Sequence, residues 1–180
     1  MKQTEPIRLY NLIFPIWIML FFPGWWWLLI IPANFALDWF VLRRCMQKRG
    51  IDDPAPVLKK TAWRTCLLGF LADLIGSAAL LAVFGALSFL GEHMIDTGDK
   101  ERGLSLAKWA GNAMLSPWSS VSAFLITALG VLLAGFLISR FNRRMLRKRT
   151  ALGDDFAKYA AKWLAIATMP YLFLLPIIIS

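Results

Sequence analysis

Histidine occurs once, at His93, and cysteine twice, at Cys45 and Cys66, in a chain of 180 residues. That scarcity excludes the cysteine and histidine spacings of a zinc site and the paired histidines of a zinc protease. A serine or cysteine nucleophile would have to borrow His93, which the charge pattern puts on the opposite side from both cysteines. Glycine-rich, phosphate-cradling loops are absent as well. No metal site, no cofactor and no enzymatic activity are therefore expected. The two cysteines flank one basic connector, which predicts a reducing compartment and no structural disulfide.

Charge is also missing over long distances. Residues 66–90 hold a single charged residue, Asp73, and residues 118–139 hold none. Each stretch runs about 20 residues or more, enough to cross roughly 30 Å of hydrocarbon at about 1.5 Å per residue. Residues 163–180 form a third such stretch, and residues 9–42 hold enough apolar sequence for one long span or two short ones. With 58% hydrophobic residues and some four spans, little of the chain is left for a separate soluble domain. The expected fold is all-α: a polytopic integral membrane protein with about four transmembrane helices and a short, proline-broken N-terminal helix, forming one helical domain over 1–180.

The charges that are present are sorted by connector. Residues 43–64 carry Arg43, Arg44, Lys48, Arg49, Lys59, Lys60 and Arg64 against Asp52 and Asp53. Residues 140–162 carry Arg140, Arg143, Arg144, Arg147, Lys148, Arg149, Lys158 and Lys162 against Asp154 and Asp155. Between them, residues 91–117 are slightly acidic. The positive-inside rule then puts both basic connectors in the cytoplasm, the acidic one outside, and the C-terminus outside, in a multi-pass protein of the cell inner membrane.

Pro15, Pro23, Gly24 and Pro32 interrupt the first apolar region, and each proline removes a helical hydrogen bond that lipid cannot replace. One kinked span and a hairpin turning at Pro23-Gly24 both fit. The favoured division is a re-entrant or interfacial helix over 9–22 followed by a span over 24–42. The remaining spans are 66–90, 118–139 and 163–180. Outside, residues 97–113 read as a short amphipathic helix on the interface, with Leu104, Ala107, Ala110 and Ala113 near one face. Gly50 marks a turn, and Gly153 with Asp154-Asp155 marks a helix stop and the cap of the next helix.

Polar groups inside the apolar segments are the default functional candidates. Asp73 lies nine residues past Arg64, roughly 13 Å along a helix. Asn34 and Asp38 share a face at i, i+4 spacing. Antiparallel helices joined by the basic loop would bring Asn34, Asp38 and Asp73 together, and Pro32 would free a carbonyl oxygen beside them. Two buried carboxylates so placed require a cation, a shared proton or an arginine, as in a proton or sodium site at a broken transporter helix. The plainer alternative pairs Asp38 with Arg43, Arg44 or Arg64 and leaves Asp73 as a protonated packing group.

Small residues form two stripes, with Gly69 and Gly76 on the second span and Gly130 and Ala134 on the third. They mark close helix packing, either within one protomer or between copies of a homo-oligomer. Arg140, Arg143, Arg144 and Arg147 fall at i, i+3, i+4 and i+7, one face if the helix continues past Ser139. Such a face contacts phosphate, in the first place the anionic headgroups of the lipid bilayer. Nucleic acid is not an expected partner, because no aromatic pattern supports base contact. The expected function is a non-enzymatic inner-membrane protein, an oligomeric channel-like or membrane-effector subunit. Alternatives are a small proton- or sodium-coupled transporter or its membrane subunit, and an anchor docking an acidic cytoplasmic protein partner.

Overall fold

The computed structural model describes residues 21, 24, 25 and 27–175. The helix expected over 9–22 therefore lies, except for Phe21, outside the described residues. Five α-helices follow in order: α1 (Trp27–Lys48), α2 (Ala55–Asp96), α3 (Lys100–Leu115), α4 (Val121–Arg149) and α5 (Gly153–Thr168). Short 3-10 turns occupy Pro117–Ser119 and Tyr171–Leu174, and no strand occurs among the described residues. Helices α2, of 42 residues, and α4, of 29, are long and apolar enough to cross a membrane.

The helix ends have local causes. Gly50 takes φ +69°, and the Ile51 N–H reaches back to the Met46 carbonyl, a left-handed glycine cap that closes α1. Pro54 and Pro56 then suit the opening of α2, whose Ala55 N–H donates to Asp53 Oδ1 at 3.1 Å. Pro117 follows the end of α3, and Ser120 caps α4 by accepting from the Ala123 N–H at 3.1 Å.

Helices α2 and α4 lie antiparallel with their small residues facing. A Cβ on Gly76 would stand 3.0 Å from the Ala134 Cβ and 3.2 Å from the Gly130 carbonyl oxygen. Gly130 in turn makes room for Leu80. The second close approach joins α2 to α3: a Cβ on Gly91 would meet the Ala107 nitrogen at 2.7 Å, and one on Gly103 the Gly91 carbonyl oxygen at 2.5 Å. Only glycine lets these backbones touch. One apolar core, with Leu80, Phe84, Ala113, Ala123, Val131 and Phe173, fills the α2–α3–α4 end. Another, with Leu42, Met46, Leu58, Ile138, Leu146, Phe156 and Leu164, joins α1 and α5 to the charged ends of α2 and α4.

Several boundaries depart from the sequence expectation. Helix α2 extends well beyond 66–90 at its start, and α4 continues from 139 to Arg149. The apolar stretch 163–180 is not one helix: α5 begins ten residues earlier, at Gly153, ends at Thr168, and gives way at Pro170 to the 3-10 turn. Helix α5 is amphipathic, burying Phe156, Ala157, Ala160, Ala161, Leu164 and Ala165 while Lys158 and Lys162 stay exposed. No side chain caps it, so Asp154 and Asp155 occupy its first turn rather than its cap. Helix α3 buries Gly103, Ala110 and Ala113 against its neighbours, and Leu104, expected on that face, is exposed.

Candidate functional site: a cavity at Asp73

Proline at position 170 has no N–H, so the carbonyl of Ile166, four residues back, loses its helical donor. The Tyr171 hydroxyl supplies one instead, donating to Ile166 O at 2.6 Å. The Tyr171 N–H turns to Met169 O at 2.8 Å, and the Phe173 N–H to Pro170 O at 3.0 Å. Ala167 O and Thr168 O are consequently left without a hydrogen-bond donor among the described residues. Further on, Trp118 Nε1 donates to Leu174 O at 2.7 Å, which ties the interrupted segment to the start of α4.

The interrupted segment forms one wall of a cavity of about 390 Å³. Ala167, Thr168 and Met169 face Trp27, Asn34 and Leu37 of α1, while Phe70 and Asp73 come from α2. Asp73 is 7% exposed, and its Oδ1 has no hydrogen-bond donor among the described residues. An unsatisfied buried carboxylate oxygen is costly, and here it stands in a cavity whose lining is otherwise largely apolar, where a proton, a cation or a ligand's donor would relieve it. The lining residues offer oxygens from the Asp73 carboxylate, the Asn34 amide and the backbone of Ala167 and Thr168, donors that hard cations take, while the Met169 sulfur packs toward Gly135.

Asn34 and Asp73 therefore share one cavity. Asp38, on the next turn of α1, is 4% exposed and does not line it, but lies within electrostatic reach of both Asp73 and Cys66. The arginines that might have neutralised Asp38 are otherwise engaged. Arg43 lies over Trp39 at 5.2 Å, Arg44 over Phe40 at 5.1 Å, and Arg64 donates to the Lys60 carbonyl. The expected role of Pro32 does not hold. Its freed carbonyl would be that of Leu28, an exposed residue outside the cavity wall, and Pro170 makes the break that matters. Asp73, Thr65 Oγ1 and Asn142 Oδ1 are the buried side chains left with an unpartnered oxygen among the described residues. Thr65 and Asn142 escaped the sequence reading because each stands beside the charged connectors.

The four arginines share a face because α4 does continue past Ser139. Together with Phe136 and Ser139 they line a second concavity of about 520 Å³. Arg143 donates to Asp154 from Nη2 at 2.7 Å and Nε at 3.4 Å, which holds the Asp154 carboxyl below the usual carboxylate range. Of the small residues, Gly76, Gly130 and Ala134 meet within the chain, whereas a Cβ on Gly69 would touch nothing within 4 Å. Both cysteines are free and buried. The chain matches no family model, and no curated protein and no solved structure is significantly similar to it.

Proposed function

We propose that the chain is a non-enzymatic, multi-pass membrane protein that handles a proton or a small monovalent cation at Asp73, as a cation-coupled transporter or the membrane subunit of one. Membrane embedding is supported by the surfaces of α2 and α4. Only 33% and 39% of their most apolar windows are buried inside the chain, less than the covered core helix of a soluble domain would bury. Leu125, Leu129, Leu132 and Phe136 form an exposed apolar flank on α4 that needs lipid. On the charge bias of the connectors, residues 43–64 and 140–162 face the cytoplasm of the inner membrane.

The observation that carries the ion reading is the donorless Oδ1 of Asp73 at the wall of a cavity whose opposite wall is interrupted backbone. Non-helical chain at membrane depth is stable only where it is buried in protein or lines a cavity, and ion sites are built at such breaks. The oligomeric, channel-like reading gains no interface from the small residues of α4, because Gly130 and Ala134 are covered by α2 of the same chain.

Reconstitution into proteoliposomes tests the reading. An imposed sodium or proton gradient should drive a flux through the wild-type protein that Asp73→Asn removes, while the variant inserts and elutes as wild type does. Equal flux in both proteins would overturn it.

A further inference from the structure

The concavity at the inner end of α4 has a composition of its own. Arg140, Arg143, Arg144 and Arg147 surround it, with Phe136 and Ser139 toward the apolar part of the helix. Four guanidiniums face the single carboxylate of Asp154, which is taken by Arg143. Arg140 and Arg144 have no acidic partner among the described residues, and Arg147 feels the Asp154 charge without forming an ion pair with it. Like charges crowded on successive turns repel one another, and an anion relieves that repulsion. Guanidinium groups bind phosphate oxygens with paired, parallel hydrogen bonds, so the anion that fits is a phosphate.

Depth tells which phosphate. The packing of Gly76 on Gly130 and Ala134 fixes the register of the two apolar helices, and Arg140 is the first charge on α4 after it. Phe136, one turn earlier, is 63% exposed and points its ring outward beside the same concavity. The site thus offers a charged floor and an apolar lip about one turn, roughly 5 Å, apart along the helix. An inorganic phosphate would use only the floor.

We infer that this face is a binding site for an acidic phospholipid of the cytoplasmic leaflet. Its phosphate sits among Arg140, Arg144 and Arg147, and its acyl chains run along Phe136. Arg143, fixed by Asp154, shapes the side of the site nearest α5. A headgroup bearing two phosphates balances the unpaired guanidiniums more fully than one bearing a single phosphate, and is the tighter ligand. The inference rests on membrane embedding but not on Asp73, so loss of ion flux in Asp73→Asn leaves it untouched.

Native mass spectrometry of the full chain released from mild detergent tests it, with cardiolipin, phosphatidylglycerol, phosphatidylcholine and inorganic phosphate as probes. Wild type should retain the two acidic lipids, cardiolipin above phosphatidylglycerol, at least about tenfold over phosphatidylcholine. The double variant Arg140→Gln/Arg144→Gln should lose that preference, while Lys59→Gln/Lys60→Gln, which removes the same charge from the other basic connector, should keep it. Equal loss in both double variants would reduce the site to general surface charge. Displacement of the lipid by equimolar inorganic phosphate would make it a site for the free anion. Either result overturns the proposal.

Discussion

The hydroxyl of Tyr171 donates to the carbonyl of Ile166 at 2.6 Å, the same carbonyl that Pro170 deprives of its helical partner. One side chain thus repairs the helix end that its neighbour breaks. The broken end keeps a defined geometry, and the carbonyls of Ala167 and Thr168 stay turned out of the helical ladder. Tyr171→Phe should lower stability by about 0.5–1.5 kcal/mol, the usual net worth of one such bond. Thermal unfolding of the purified protein measures it, and an unchanged midpoint would mean that water or lipid headgroups satisfy Ile166 equally well.

The glycines divide into two classes with opposite expected responses. At Gly91 an added methyl would meet backbone at 2.7 Å, so Gly91→Ala forces α3 away from α2 and should cost about 1–3 kcal/mol. Gly69→Ala adds a methyl where nothing lies within 4 Å, and should be neutral or stabilising by up to about 1 kcal/mol through helix propensity. Unfolding midpoints of the two single variants, compared side by side, check the contrast.

Asp154 gives the arginine-rich end of α4 a pH dependence. Its carboxyl is held below the ordinary 3.8 by the Arg143 hydrogen bond. A depressed carboxylate contributes stability that is fully present above the unfolded pKa and is lost as pH falls through the folded one. The contribution should therefore be constant from neutral pH down to about 4 and decline below it. Asp154→Asn should lose that acid-side slope and melt slightly below wild type at neutral pH, the two curves converging in acid and the difference staying small because the pair is exposed. Melting curves between pH 3 and 7 would show it.

Asp38 and Asp73 should respond differently to the same change. Asp38 does not line the cavity, so Asp38→Asn should leave flux largely intact, whereas Asp73→Asn abolishes it. Identical effects of the two substitutions would mean that neither carboxylate is privileged.

Run length and charge made part of this architecture legible. Residues 66–90, apart from Asp73, and residues 118–139 are uncharged for long enough to declare the apolar parts of α2 and α4, and Asp73 stands out against that background as Asn34 does within 24–42. The same signal fails where a helix outlasts its apolar part. The stretches 55–65 and 140–149 carry the basic residues of the connectors, yet both remain helical because they pack on α1 and α5. It fails again at 163–180, since hydrophobicity alone does not separate a helix from chain broken by a proline. Pro32 and Pro170 look alike in the sequence, yet Pro32 stays inside α1 while Pro170 follows the end of α5. The oxygens that complete the cavity belong to the backbone of Ala167 and Thr168, and a carbonyl leaves no mark in a sequence. Contact between Gly76 and Gly130 was open between one protomer and two until the helices were seen side by side.

The most direct test of the central claim is an infrared titration of the reconstituted protein, with the Asp73 carboxyl followed by difference between wild type and Asp73→Asn. Wild type should show a protonated-carboxyl band that is absent from the variant, titrates with pH, and changes amplitude when sodium replaces a large organic cation or when a proton gradient is imposed. A band insensitive to pH, to sodium and to the gradient, or no difference between the two proteins, would contradict it and leave Asp73 as a buried packing group.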